Sequence, residues 1–296
     1  MNKGHIKITL ALLSVACYMQ NIAFAIGFFS NTNSLNEENV NEFPIAPREA
    51  KQAMDIMTEV LYHAQKHAEH TDDYQPYSKE NEESMLYFKR INDTDIGKIE
   101  FTIPNPDNYA DVVSMIWDPN GQKKFNDTFI KGTLFRIYDP NFVILQHRYT
   151  SPIKSWHVYY YALANKVELS KDETVILLVS SDMNDHYGDP MKKYVNPIVE
   201  SARSFKPDVR SQEDIKKGEA FKIFVNFAAF FVKKEADCVK VTYVASFDLN
   251  FSPRYPNHMI RKLAATRILN VIKLKDAFKS NILTSMWNFL KSWRLF

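Results

Sequence analysis

Apolar residues first recur at helical spacing after Ala46. Ala50, Ala53, Met54, Met57, Val60, Leu61 and Ala64 fall on one stripe behind Pro47 and predict an amphipathic helix ending near His70. A polar loop with Tyr74, Pro76 and Tyr77 follows. Two short strands are then predicted over 85–90 and 98–103, the second closed by Pro104 and Pro106. Asp107 is placed to cap a helix with apolar positions at Tyr109, Val112, Val113, Ile116 and Trp117. From there the pattern is that of strands. Segments 130–138, 142–149, 156–167 and 174–181 are separated by turn formers such as Asp139-Pro140-Asn141 and Ser170-Lys171-Asp172. After an irregular stretch over 182–217, two long strands, 221–232 and 239–249, flank a polar turn over 233–237. Pro253 and Pro256 end the sheet. A last helix over 258–274 carries Met259, Ile260, Leu263, Ala264, Ile268, Leu269 and Ile272 on one side. Helix, two strands, helix, about six antiparallel strands, helix: the order defines an α+β class, and no internal repeat is present.

The strand over 156–167 departs from simple alternation. Trp156, Val158, Tyr160, Ala162 and Ala164 point to one face, and His157, Tyr159, Tyr161 and Leu163 to the other. Both faces are mostly apolar or aromatic, so both need cover. A sheet sandwiched by helices satisfies that requirement; so does a curved sheet around a ligand cavity.

Composition narrows the picture further. Among 296 residues there are 21 Phe, 15 Tyr and 4 Trp but only 7 Gly, which favours strands over phosphate-cradling loops. A net charge of +2 gives no basic excess for nucleic acid. Lys3 and Lys7, the apolar run 8–17 and Ala23-Phe24-Ala25 predict a secretory signal peptide over 1–25, cleaved after Ala25. A disordered linker is expected over 26–45, the folded domain over 46–275 and a basic-aromatic tail over 276–296. Cleavage removes Cys17 and leaves Cys238 without a disulfide partner, so stability rests on the core. Asn92, Asn126 and Asn250 begin Asn-x-Ser/Thr triplets and are candidate glycosylation acceptors.

Several strings resemble a known module. Val241-Thr242-Tyr243-Val244-Ala245-Ser246-Phe247-Asp248, then Pro253 and an amphipathic helix, is similar to the end of START (StAR-related lipid-transfer) domains. Phe142 to Tyr149, Ser151-Pro152 and Trp156 to Leu163 resemble their central hairpin, and Met115-Ile116-Trp117-Asp118-Pro119 the end of their second helix. With Arg148-Tyr149, Tyr159 to Leu163 and Asn184-Asp185-His186, nearly the whole chain resembles the fam-a multigene family of rodent malaria parasites. The resemblance implies a helix-grip fold, in which a curved antiparallel sheet encloses a cavity capped by a long C-terminal helix. It further implies no catalytic centre and the binding or transfer of a lipid, in particular a phospholipid. Two departures stand out. Phosphatidylcholine-binding START domains place an Arg and an Asp after the second helix, where this chain has Gln122-Lys123-Lys124-Phe125-Asn126. The Arg-Asp common before the central strand is replaced by Trp156-His157. Lys123 and Lys124 are the candidate phosphate contacts in their stead.

Other chemistry is weaker. His63, His67 and His70 share a helix stripe, but His63-Ala64-Gln65-Lys66-His67 lacks the Glu that zinc proteases use as base, and a solvated polar face is expected. Asp185, His186 and Asp189 have no Gly-x-Ser-x-Gly elbow, and Cys238 sits beside Asp237, which opposes its thiolate. Neither an enzyme, a metal nor a cofactor is expected. A lipid leaving a membrane needs replacement burial of about 0.8 kcal/mol per methylene, roughly 10 kcal/mol for one chain, which only a dry apolar cavity supplies. Alternation and the family resemblance nominate Leu145, His147, Tyr149, Val158, Tyr160 and Ala162 from the sheet, with Met259 and Leu263 from the last helix. The tail, with Trp287, Trp293, Lys291 and Arg294, is a candidate either for transient membrane contact or for packing against its own domain. The expectation is therefore a secreted monomeric lipid carrier, with onward export to the host cell or parasite vacuole open, although no Arg-x-Leu-x-Glu/Gln signal is present. The alternative is a secreted, host-facing interaction protein of the same shape with a filled cavity.

Overall fold

The computed structural model describes residues 45–69, 72–81, 84–91, 93–151, 157–186, 193–252 and 254–279. The predicted signal peptide, nearly all of the linker, and the tail beyond 279 lie outside these residues. The first helix, α1 (Pro47–Glu69), buries Ala53, Ile56, Met57, Val60, Leu61, Ala64 and His67, much as its stripe predicts. The Lys98 ammonium, itself buried, donates to the Ala68 carbonyl at 2.5 Å and so caps the helix C-terminus.

The strands β1 (Gln75–Asn81), β2 (Ser84–Ile91) and β3 (Thr94–Pro104) lead into α2 (Tyr109–Trp117). Then come β4 (Phe129–Asp139), β5 (Phe142–Thr150), β6 (His157–Ser170) and β7 (Glu173–Val179). A short helix, α3 (Glu213–Lys216), precedes β8 (Ala220–Lys222), β9 (Phe224–Lys234) and β10 (Cys238–Asp248), and the last helix is α4 (Asn257–Leu269). The strands form one sheet in the order β1-β2-β3-β10-β9-β7-β6-β5-β4, antiparallel throughout, with β8 added parallel to β6.

Three elements differ from the sequence pattern. The polar loop at Tyr74–Tyr77 is in part the edge strand β1, where Pro76 is tolerated because an edge leaves one row of backbone groups unpaired. The strand expected over 221–232 is two strands, because the Ile223 amide turns aside to the Tyr159 carbonyl at 2.9 Å. Beyond α4 the chain makes a 3₁₀ turn over Asn270–Lys273 and stays helical over 274–279, with Leu274 and Phe278 buried. The start expected for the tail, 276, thus falls inside this helical run.

Each face of the sheet carries its own core. On one side Tyr159, Tyr161 and Leu163 pack with α1 and with Val199, Ala202 and Phe205 from the irregular stretch. Glu59 of α1 holds that stretch by accepting the Glu200 and Ser201 amides at 2.7 and 3.0 Å. On the other side Val158, Tyr160, Ala162 and Ala164 face α2 and α4. The β6 alternation is thus explained on both counts: helix α1 covers one face, and a cavity beneath α4 occupies the other.

Two glycines set how closely helix and loop approach the sheet. A Cβ on Gly97 would stand 2.3 Å from Cδ1 of Ile268, so α4 rests directly on β3 there. A Cβ on Gly132 would stand 2.0 Å from the Pro119 carbonyl. Asn120 completes that contact, accepting the Gly132 amide at 3.0 Å and donating to its carbonyl at 3.2 Å, which pins the chain after α2 to β4.

Candidate functional site

A cavity of about 650 Å³ lies between the concave face of the sheet, the segment after α2, and α4. Its space follows from the register. Ala164, Leu178, Ala228 and Ala245 align across β6, β7, β9 and β10, and three of these four are alanines. Small side chains in mid-sheet leave room that the neighbouring row, Ile176, Phe230 and Tyr243, then walls off. Voids in protein cores seldom exceed a water molecule, whereas ligand pockets run to about 300–1,000 Å³. This space belongs to the second kind.

The sheet candidates Leu145, His147, Tyr149, Val158 and Tyr160 line the cavity; Ala162, paired with Leu145, is fully buried in the wall and is not among the lining residues. Leu263 lines it from α4. Met259 is 48% exposed one turn earlier and does not reach it. Lys123 and Lys124 are exposed on the 3₁₀ turn Gly121–Lys124, and neither lines the cavity. Their neighbour Gln122 does.

Gln122 belongs to a polar cluster at the β5–β6 end. The Tyr149 hydroxyl donates to Gln122 Oε1 at 3.2 Å, and His147 Nδ1 lies 2.8 Å from the Tyr160 hydroxyl. Burial lowers the His147 pKa to about 4, only partly offset by the Pro119 backbone, and Nε2 has no hydrogen-bond partner among the described residues. The ring is therefore neutral near pH 7. Burial also raises the pKa values of Tyr149, Tyr160 and Tyr243, so all three phenols keep their protons.

The cavity face of α4 comprises Leu263, Thr266, Arg267, Asn270 and Val271, which continues into the following turn at i, i+3, i+4, i+7 and i+8. That is a clean helical stripe, but a mostly polar one, and the apolar stripe is not the face that lines the space. Ala265 and Ile268 join the core on the sheet instead. Arg261 fixes the helix from outside through two 2.8 Å bonds to Asp95. At the rim, Asn250 adopts a positive φ of 53° that an Asn tolerates, and the turn it makes presents Phe251 and the half-exposed Tyr255.

The other constellations do not assemble a reactive centre among the described residues. Asp185 is buried against the Lys222 ammonium at 2.8 Å and accepts from Tyr159, while His186 is exposed and Asp189 lies outside the described residues. His67 is buried rather than solvated and meets Tyr74 at 2.9 Å, because α1 turns it inward against Tyr74 and Phe227 of β9; His70 lies outside the described residues. No group of three or more His, Cys, Asp or Glu among the described residues could hold a metal ion. Cys238 has a raised pKa, from partial burial first and Asp237 next. Asn126 is buried, and its amide is engaged with Gln122 and Thr128, which disfavours glycosylation there.

No protein-family model and no curated sequence matches the chain. Solved structures do. Human StAR-related lipid transfer protein 5 aligns over 79% of this chain and 97% of its own, with a TM-score of 0.54 at 10% identity. Human STARD10 aligns over 77% and 81%, with a TM-score of 0.53 at 11% identity. The lipid transfer and protein localization domain of human StarD13 aligns over 72% and 93%, with a TM-score of 0.51 at 10% identity. At such identities the likeness establishes architecture: the chain has the START-like helix-grip fold, an antiparallel sheet gripping a C-terminal helix.

Proposed function

We propose that this chain is a lipid carrier that holds its ligand in the cavity beneath α4 without covalent chemistry. The observation that carries the reading is the cavity itself, about 650 Å³ with a largely apolar lining, a polar cluster at the β5–β6 end and a polar stripe along its α4 roof. Each methylene buried there recovers about 0.8 kcal/mol, so an acyl chain can be held away from water. The names of the similar solved structures, two of which are lipid transfer proteins or domains, support the same reading. An open void of this size speaks against the filled-cavity interaction protein.

The finer proposal is a phospholipid carrier, secreted through the N-terminal signal and akin to the fam-a proteins; the sequence strings support these points. Exchange proceeds by transient docking on a membrane and loosening of α4 and the rim turn around Asn250. Native mass spectrometry of residues 26–296 purified from cells, with organic extraction, tests the carrier reading. A stoichiometric lipid is expected. An empty protein that also accepts no lipid from liposomes would overturn the reading in favour of the interaction protein.

A further inference from the structure

The charge inside the cavity is unbalanced. Among the described lining residues only Arg267 and Asp118 carry charge, and Asp118 is exposed, its carboxylate accepting the Asn120 amide in the turn after α2. The Arg267 side chain has no carboxylate within ion-pair distance and no hydrogen bond among the described residues. Its guanidinium lies 5.2 Å from the centre of the Tyr149 ring, with Tyr149, Tyr160 and Tyr243 as the groups that act on its charge. A guanidinium cannot shed its proton to escape such a site, so a partly desolvated one calls for an anion.

A second group points the same way. The Tyr243 hydroxyl lines the cavity from β10, in a residue only 5% exposed, and has no hydrogen-bond partner among the described residues. The contrast with the β5–β6 end is informative. There Gln122, His147, Tyr149 and Tyr160 bond to one another, so their polar groups are largely satisfied without a ligand. Outside that cluster, Arg267 and Tyr243 are donors that meet the cavity without a hydrogen-bond partner among the described residues.

We propose that Arg267, assisted by the Tyr243 hydroxyl, receives the anionic head of the bound lipid, a phosphate or a carboxylate, and that the protein selects lipids with net negative heads. A zwitterionic head would bring a cation toward Arg267, and the one carboxylate among the described lining residues, Asp118, stands exposed and cannot offset it inside. The proposal rests on the carrier reading and sharpens it.

The test uses the chain as purified from cells, stripped of lipid and incubated with phosphatidylcholine vesicles doped with phosphatidic acid, oleic acid or diacylglycerol. Bound lipid is quantified by mass spectrometry. The wild type should enrich an anionic lipid over phosphatidylcholine and diacylglycerol by about tenfold or more, the scale of a charge-assisted bond. Preference for phosphatidic acid identifies a phosphate head, and preference for oleic acid a carboxylate. Arg267→Gln should lose the enrichment while still taking up diacylglycerol, which also shows that the variant is folded. Arg267→Lys should keep part of it, and Tyr243→Phe should reduce it about threefold in a fold left intact. An Arg267→Gln protein that retains the enrichment, or a wild type that loads lipid without preferring anions, overturns the proposal and leaves the carrier reading standing. A protein that loads none of the four lipids overturns both.

Discussion

His147 couples the cavity to pH. Its folded pKa of about 4 lies below the unfolded value near 6.5, so between these values the unfolded chain binds more protons than the folded one. Stability should therefore rise with pH across that window, be fully present above about 6.5, and fall by about 3 kcal/mol as the pH drops to about 4. Thermal melts from pH 4 to 7 would show this slope, and His147→Gln, which retains an acceptor for Tyr160, should flatten it. An unchanged slope in the variant would assign the acid sensitivity to carboxylates such as Asp214, whose pKa is lowered by its bond to Arg148. Ala228 offers a complementary test of the void. Ala228→Phe sends a ring into open space, so stability should change by less than about 1 kcal/mol while extractable lipid falls steeply; in a packed core the same change costs about 1–3 kcal/mol. Urea denaturation beside lipid extraction separates the two cases.

Helix α4 is the element that must move if lipid is to exchange, and its fastenings are unequal. Ile268 seated over Gly97 is buried and firm, whereas the Arg261–Asp95 pair is partly exposed and holds the N-terminal half. Asp95→Asn should cost about 1 kcal/mol and speed transfer of a fluorescent lipid between vesicles. A variant that melts lower yet transfers no faster would mean that α4 does not gate the cavity. The same helix shows where sequence reading stopped. Strands β4 to β7 and β10, and helices α1 and α2, were legible because β-branched and aromatic runs or helical stripes mark them. β1 is mostly polar and is placed by its pairing with β2 and by the Tyr77 ring against Phe88, and the β8–β9 break exists only because Ile223 finds β6, a contact distant in sequence. Of the site, the β5–β6 residues could be named from alternation and resemblance. Arg267, Thr266 and Asn270 read as a solvated face, since a cavity needs no apolar filling from its roof. Tyr243, Phe230 and Ala228 stayed hidden because alternation separates two faces without telling which one encloses space.

The molecule as a whole joins the cavity, proposed to load its lipid from a membrane, to a basic-aromatic C-terminal sequence. The two parts must be separated at the right residue. Leu274 is fully buried and Phe278 is 2% exposed, both in the core that surrounds the cavity, so the chain through 279 belongs to the fold. Cutting after Lys275 removes Phe278 and should cost about 3–5 kcal/mol, the usual loss for a buried Phe. Cutting after Lys279 spares that core and removes Trp287, Trp293, Lys291 and Arg294. This second truncation should melt within about a degree of the intact chain, yet sediment with anionic liposomes several-fold less, with the difference shrinking as salt screens the basic residues. Equal sedimentation of the two proteins would sink the tail as a docking element. Membrane contact would then fall to the rim, where Tyr255, Met259 and Leu263 stand exposed beside the cavity mouth.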